Sequence, residues 1–368
     1  MGGHESTSLT LIFVTSQILV IGAGPAGAAT AIFLRQKGFD VVLVDRLKKN
    51  GLQNQCHIGE SLPPDAKDLL EQLEVWEAFQ HGAHLECYGN KSYWHSDQVQ
   101  HYDFMQHPVG HGWHIDRAVF ETMLRNKAKQ VGATFFEETT YLSTEWQQGL
   151  WNVSFKDKDD QDKTLQAAFI IDATGRSSWF ARRQGVQRLF EDRQLALTAF
   201  FRNKAVFEDT TSLVETTPHG WWYSAKIPGE RIAAAFFCKP NKVQRALWLK
   251  ENEFMQLLAN APHTLARFKE GDFEPISEPR FVSADSGILE QLYGEGWLVV
   301  GDAAMTYDPI ASHGILMSMV SARDAANAIA QFQQGDTNAL QTYASVLSVA
   351  FQRYVALRDG FYQQNVAH

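Results

Sequence analysis

Cysteine is scarce in this chain, and positive charge is never concentrated. The three cysteines, Cys56, Cys87 and Cys238, lie far apart, show no C-x-x-C spacing and are odd in number, so neither a disulfide framework nor a cysteine-type zinc site is expected. Against 42 Asp and Glu stand 33 Lys and Arg, a net charge of -9 and a pI near 5.8. With no basic cluster, nucleic acids and anionic membrane surfaces are not expected as partners. Long apolar runs are missing too, and none approaches the ~20 residues that a membrane span requires. The short run Leu9 to Val14 has no Lys or Arg before it and no small-residue cleavage site after it, which makes it a poor signal peptide and a better tail or extra strand. The cytoplasm is the expected compartment. Repeats, low-complexity tracts and linkers rich in Pro, Gly or Ser are also absent, so the domains are expected to be interleaved and not strung in series.

What is present suits about two domains: 368 residues, of which 45% are hydrophobic, enough for a sizeable core. The strongest local signal comes early. Gln17 to Ile21 reads as a buried strand, "GAGPAG" from Gly22 to Gly27 supplies G-x-G-x-x-G, and Pro25 to Lys37 continues as an apolar helix ended near Gly38. In this pattern Gly22 permits a tight turn, Gly24 lets the backbone approach a pyrophosphate, and Gly27 lets helix and strand pack closely. A second strand, Val41 to Val44, ends in Asp45, 18 residues beyond Gly27, where an acid holds ribose hydroxyls. Dinucleotide binding follows, with NAD and FAD both open at this point.

Three further stretches bear on that choice. A helix is expected from Asp116 to Gln130, with Arg117 in its first turn and placed to reach a phosphate or ribose. In "AAFIIDATGRSS" an apolar strand, Ala168 to Ile171, breaks at Asp172 into a turn at Gly175. In "GWLVVGDAAMTYDPIASHG" a strand, Trp297 to Val300, is followed by Gly301 and Asp302, a loop containing Asp308, and a long helix from His313 or Gly314. Asp302 can accept from a ribitol hydroxyl, while the helix start offers unpaired N–H groups and a positive dipole end to an electron-rich ring. His57 and His313 are candidates for polar contacts near that ring. His107, His111 and His114 are closely spaced, but no carboxylate or Cys completes a set, so no metal is expected. Residues 186–285, with "LALTAFF" and "RIAAAFFC", read as strands of a substrate-binding sheet whose cleft Trp221, Trp222 and Tyr223 would line.

The chain order of "VIGAGPAGAATAIFLRQKGFDVVLVDR", "GESLPP" at Gly59 to Pro64, "DRAVFETML", "DATGRSS" and "GDAAMTYDPIASHG" resembles the aromatic-hydroxylase and flavin-halogenase superfamily of FAD enzymes. The resemblance covers nearly the whole chain. It implies an α/β fold in which a Rossmann-type FAD-binding domain is interleaved with an α+β substrate domain built on a mostly antiparallel sheet. Residues 1–75, 107–185 and 286–368, the last including C-terminal helices, would form the FAD part, and 76–106 and 186–285 the substrate part. Gly22, Gly24 and Gly27, with Pro25 and Ala26, would hold the pyrophosphate, Asp45 the adenosine ribose, Arg117 the pyrophosphate or ribitol side, and Gly301 and Asp302 the ribitol. Ser312, His313 and Gly314 would meet the flavin edge, and Arg46, Glu60, Ser61 and Asp308 complete the expected cofactor contacts.

Departures from the halogenase pattern narrow the reaction. Where tryptophan halogenases carry W-x-W-x-I-P this chain has "WWYSAKIP", with Tyr223 and Ala225 at the two Trp places. The Lys that relays hypohalous acid falls at Glu86, with Lys91 nearby but out of register, and the Glu beside the substrate falls at Ala311. Chlorination of free tryptophan is therefore disfavoured and oxygen chemistry remains, with O2 as co-substrate and NAD(P)H or a separate flavin reductase as electron source. Within the superfamily the chain is similar to flavoproteins required for tryptophylquinone cofactor biogenesis, which act on a Trp inside a partner amine or amino-acid oxidase precursor. A flavin-bearing maturation chaperone, a halogenase and an isoprenoid double-bond reductase stay open as alternatives. No residue is singled out as catalytic.

Overall fold

The computed structural model describes residues 13–46, 59–94, 96–240 and 251–363. At its centre the strand Phe13–Ile21 pairs in parallel with Val41–Val44 on one side and Asp162–Asp172 on the other, in a register that sets Ile18 opposite Val41 and Ile21 opposite Asp172. Thr134–Phe136 and Trp297–Val299 extend the parallel order outward, and the strands Leu150–Lys156, Thr140–Gln147 and Tyr293–Gly294 add antiparallel neighbours to complete eight strands. A parallel sheet is covered on both faces, which is why "ILVI" and "VVLV" are unbroken apolar runs, all buried. Residues 9–12 of the N-terminal apolar run lie outside the described residues, while Phe13 and Val14 open the first strand.

The helix Pro25–Gln36 starts with Pro in its first turn, where a missing N–H costs nothing. It lies against the Ala-rich helix Gly314–Gln333. At Gly27 an added Cβ would sit 1.8 Å from the Gly22 carbonyl oxygen, so only glycine lets this helix close onto its strand. The helix predicted from Asp116 runs Arg117–Gln130, and Asp116 itself is its cap, accepting from Ala118 N and Val119 N at 3.0 and 3.2 Å.

A second eight-stranded sheet runs Phe273–Pro275, Leu195–Asn203, Arg231–Cys238, Gly220–Ile227, Ser212–Thr217, Gly89–Tyr93, Gln100–Asp103, with Arg280–Ser283 also on Leu195–Asn203. Every neighbouring pair is antiparallel except Ser212–Thr217 with Gly89–Tyr93. Its side chains alternate between two faces. Leu197, Phe201, Trp222, Ala234 and Phe236 pack onto the helices Glu251–Leu258 and Pro262–Glu270 through Phe254, Leu258 and Phe268. Ala196, Trp221, Tyr223, Ala235 and Phe237 form the other face, together with Trp94 and Ala284. The whole is an α/β fold in which a Rossmann-type part and a mostly antiparallel sheet alternate along the chain. No helix among the described residues is long and apolar enough to cross a membrane.

Candidate cofactor and substrate site

A cavity of about 820 Å³ runs from the glycine loop of the parallel sheet to the Tyr223 face of the antiparallel sheet. At the first end lie Gly22, Gly24, Pro25 and Ala26, with Asp45 and Arg46 beside them. Gly24 stands just before the helix, and a Cβ built there meets no atom within 4 Å. The backbone is thus bare toward the cavity where the first helical N–H groups lack partners. Asp45 ends the second strand, and its carboxylate accepts from Ala23 N, tying the strand to the loop. Gly27 lies behind this lining, in its packing role.

Arg117 reaches the cavity from its helix, held by Glu121 at 2.5 Å and by the Gly59 carbonyl at 3.3 Å. Arg125 completes the helical row and donates to the Ala23 carbonyl at 3.4 Å. Glu121, a lining residue, and Arg125 are absent from the sequence expectations, although the successive i, i+4 spacing Arg117, Glu121, Arg125 was readable.

Two turns face each other further along. Buried Asp172 accepts from Thr174 N, Phe180 N and Ala181 N, each at 2.9 Å, which shapes the turn that presents Arg176. Arg176 Nε lies 3.8 Å from the Asp302 carboxylate, and both line the cavity. Gly301 sits behind Asp302. Arg188, another residue the sequence reading passed over, clamps this second turn by donating to the carbonyls of Asp302 and Ala303 at 2.8 and 3.0 Å. Burial lowers its pKa to about 10.

Asp308, Ser312, His313 and Gly314 line the middle of the cavity. Asp308 is 1% exposed and shapes the loop: its carboxylate accepts from Ile310 N at 2.9 Å and from the Tyr362 hydroxyl at 3.0 Å, while its N–H donates to the Tyr354 hydroxyl. Burial pushes its pKa up to about 6. Ser312, at φ 51°, turns the chain into the helix start at Gly314.

Several expectations are corrected. Trp222 does not line the cleft: it is wholly buried on the opposite face, against Phe236 and Phe254, because adjacent strand residues point to opposite sides. Trp221 shares the cavity face but lies beneath the lining, stacked on Phe237 at 4.0 Å. Of the aromatic trio only Tyr223 lines the cavity. Glu60 is 2% exposed and stands behind the wall, whereas its neighbours Gly59 and Ser61 line it. His57 lies outside the described residues.

The two charged residues near the halogenase Lys place turn elsewhere. Lys91 pairs with Asp209 at 2.9 Å on the side of Arg267, away from the cavity, and Glu86 is half-exposed beside His111. The three clustered histidines diverge: His107 meets Asp65, His111 meets Glu86, and His114 is fully buried with its pKa lowered to about 4 by burial. Among the described residues no set of His, Cys, Asp or Glu converges as a metal site.

Comparison with known proteins adds a family and three likenesses. The family model described as "FAD binding domain" matches residues 15–356. A putative FAD-dependent oxidoreductase, LodB, from Marinomonas mediterranea is 27% identical, covering 91% of this chain and 92% of that one. Among solved structures, the flavin-dependent halogenase CmlS superposes with a TM-score of 0.84 at 23% identity over 95% of this chain; the match takes in 64% of that halogenase, so this chain spans less than two thirds of its length. The peptidyl tryptophan dihydroxylase QhpG, essential for tryptophylquinone cofactor biogenesis, superposes with a TM-score of 0.75 at 23% identity, covering 96% of this chain and 76% of that one.

Proposed function

The chain belongs to the FAD binding domain family of FAD-dependent oxidoreductases, and from that premise we propose that it is a monooxygenase. Its substrate in this reading is an aromatic ring, a Trp side chain within a partner oxidase precursor on its way to a tryptophylquinone. The observation that carries the reading is the continuity of one cavity from bare Gly24 to the phenol of Tyr223, with the 308–314 loop between them. The residues present fit FAD. Gly22 to Ala26 and the helix start suit the pyrophosphate, Asp45 and Arg46 the adenosine side, Arg117 a phosphate, Asp302 the ribitol, and Ser312 to Gly314 the polar edge of the ring system.

When bound, FAD supplies the two-electron chemistry with O2, and NAD(P)H or a separate reductase supplies the electrons. The chain contributes position and a wall that excludes water: Ala196, Phe237 and Val282 beside Tyr223 make an apolar seat for an aromatic ring. Ala311, and the pairing of Lys91 with Asp209 outside the cavity lining, argue against halogenation. LodB supports the oxidoreductase class and QhpG the choice of substrate class, each by likeness. A ring embedded in a folded precursor brings binding energy remote from the reacting atoms, which free tryptophan lacks.

The test is mass spectrometry of a candidate oxidase precursor coexpressed with wild type or with Gly24→Val, with and without added halide. Oxygen-dependent addition of oxygen atoms to a precursor Trp is expected with wild type alone, together with poor turnover of free tryptophan and no halide requirement. Equal oxygenation in both samples, or incorporation of halogen, overturns the proposal.

A further inference from the structure

The antiparallel sheet ends in an open edge. Its outermost strand, Gln100–Asp103, pairs only with Gly89–Tyr93 among the described residues, and all four of its residues are exposed. Phe104 N donates to the Tyr88 carbonyl at 2.9 Å, and the same register sets Tyr102 opposite Asn90 and Gln100 opposite Ser92. In an antiparallel pair alternate residues turn their main-chain groups inward, so those of His101 and Asp103 face outward, away from the sheet. At Gly89 a Cβ would sit 2.4 Å from the Tyr102 carbonyl oxygen, so glycine lets the two strands close and keeps the outer edge seated.

Such an edge is a template for another chain, and proteins guard it with charge, above all Lys, or with Pro. The opposite side of this sheet is guarded: Pro275 and the Lys204–Glu274 pair, at 2.8 Å, mark one strand there and Arg280 opens the other. Gln100–Asp103 has no Lys, Arg or Pro, and no Lys or Arg occurs between Lys91 and Arg117. Apolar surface collects there instead. Tyr102 is 68% and Met105 73% exposed, and Tyr102 meets Phe104 edge-on with ring centroids 5.5 Å apart. The charges beside this surface are the exposed acids Glu86, Asp97 and Asp103.

We propose that Gln100–Asp103 is the docking strand for the partner polypeptide, an extended segment of the oxidase precursor that joins the sheet as a further strand. This rests on the protein-substrate reading above. Main-chain groups of the segment pair with those of His101 and Asp103, an apolar side chain lies on Tyr102, and Lys or Arg side chains answer the three acids. Because His101 and Tyr102 point to opposite faces, the recognised segment alternates apolar and basic residues. A second copy of this chain, with net charge -9 and the same acids at its edge, is the poorer fit. The strand that carries Tyr223 lies three strand spacings away, about 14 Å, a distance that one folded precursor spans. The docking strand thus supplies binding energy remote from the reacting ring.

The test is amide hydrogen exchange of the FAD-loaded protein with and without the purified candidate precursor, in the absence of oxygen and reductant, together with precursor affinity by calorimetry. Exchange across residues 99–105 should slow at least about tenfold in the complex, the scale of new main-chain hydrogen bonds. His101→Pro removes an outward N–H and no bond of the sheet's own ladder. It should weaken precursor binding at least about tenfold and leave FAD affinity within about twofold of wild type. Asp97→Lys, outside the strand, should weaken binding more at low salt than at high salt, and it decides the matter where the proline disturbs folding. Binding that leaves exchange across 99–105 unchanged, full affinity in His101→Pro, or no binding of the precursor at all overturns the docking strand. So does a dimer of the protein alone that dissociates in His101→Pro, which assigns the edge to a second copy. The two readings fail separately: a protected edge with no Trp oxygenation in coexpression removes the monooxygenase and leaves the docking strand, while oxygenation with an unprotected edge removes the docking strand alone.

Discussion

Gly24 and Gly27, three residues apart, meet opposite surroundings. A side chain at Gly27 collides with the Gly22 carbonyl, while one at Gly24 meets no protein atom within 4 Å, and the φ of Gly24, -69°, is one that any L-residue adopts. Gly24→Val is therefore expected to keep the fold and lose the cofactor, since its Cβ meets no protein atom and its added bulk stands where the pyrophosphate approaches. Thermal unfolding of the apo protein should be unchanged, and FAD affinity should fall by at least about tenfold, the scale of losing a main-chain contact to a charged group. Wild-type affinity in this variant would place the pyrophosphate elsewhere. Gly27→Ala is the contrasting control: it should damage folding itself.

At the scale of elements, the C-terminal helix Ala339–Gln363 does more than cover the core. Tyr343 donates to the Val299 carbonyl at 2.8 Å, and Tyr354 and Tyr362 hold Asp308 from two sides, so one helix ties the end of a parallel strand to the loop that precedes the helix Gly314–Gln333. Tyr354→Phe combined with Tyr362→Phe keeps both rings and removes both hydroxyls. The loss is expected to cost about 1–3 kcal/mol, because the Asp308 N–H and one carboxylate oxygen are left buried. A lower melting temperature and an FAD affinity reduced about tenfold would follow; unchanged affinity would mean that the loop keeps its shape without the helix.

Across the whole molecule, buried titratable groups tilt the stability curve in opposing directions. Glu60, pushed up to about 7 from 4.5, holds its proton more tightly when folded, so its contribution to stability falls as pH rises through that window. Asp308, raised by burial to about 6, acts in the same sense. His84 and His114, lowered by burial to about 4, act in the opposite sense between about 4 and 6.5. The difference between wild type and Glu60→Gln isolates the first of these. The variant's stability relative to wild type should increase with pH between about 4.5 and about 7, by on the order of 1–3 kcal/mol, in urea unfolding at several pH values. A difference that is flat with pH would contradict the ionisation assigned to Glu60.

The cofactor side of this protein was determined by contiguous sequence. "QILVIGAGPAG" with its later acid encodes a strand, a turn and the start of a helix in one uninterrupted stretch, and "DATG" and "GDAA" each encode a strand end and the tight turn after it; backbone geometry demands glycine at fixed places in such units. The arginine clamps were not legible in the same way. Arg188 meets carbonyls 114 and 115 residues away, and Arg125 one 102 residues away, partners that no local pattern names. The substrate side was decided by tertiary structure for a related reason. "WWYSA" lies in a strand covered on both faces, so it shows no alternation of polar and apolar residues, and nothing local tells Trp222 from Tyr223. Only the placement of helices on one face and the cavity on the other makes Trp222 core and Tyr223 wall. Glu60 is the same case at a single position: between two lining residues, a side chain that turns to the opposite side of a short extended segment becomes a buried acid instead of a cofactor contact.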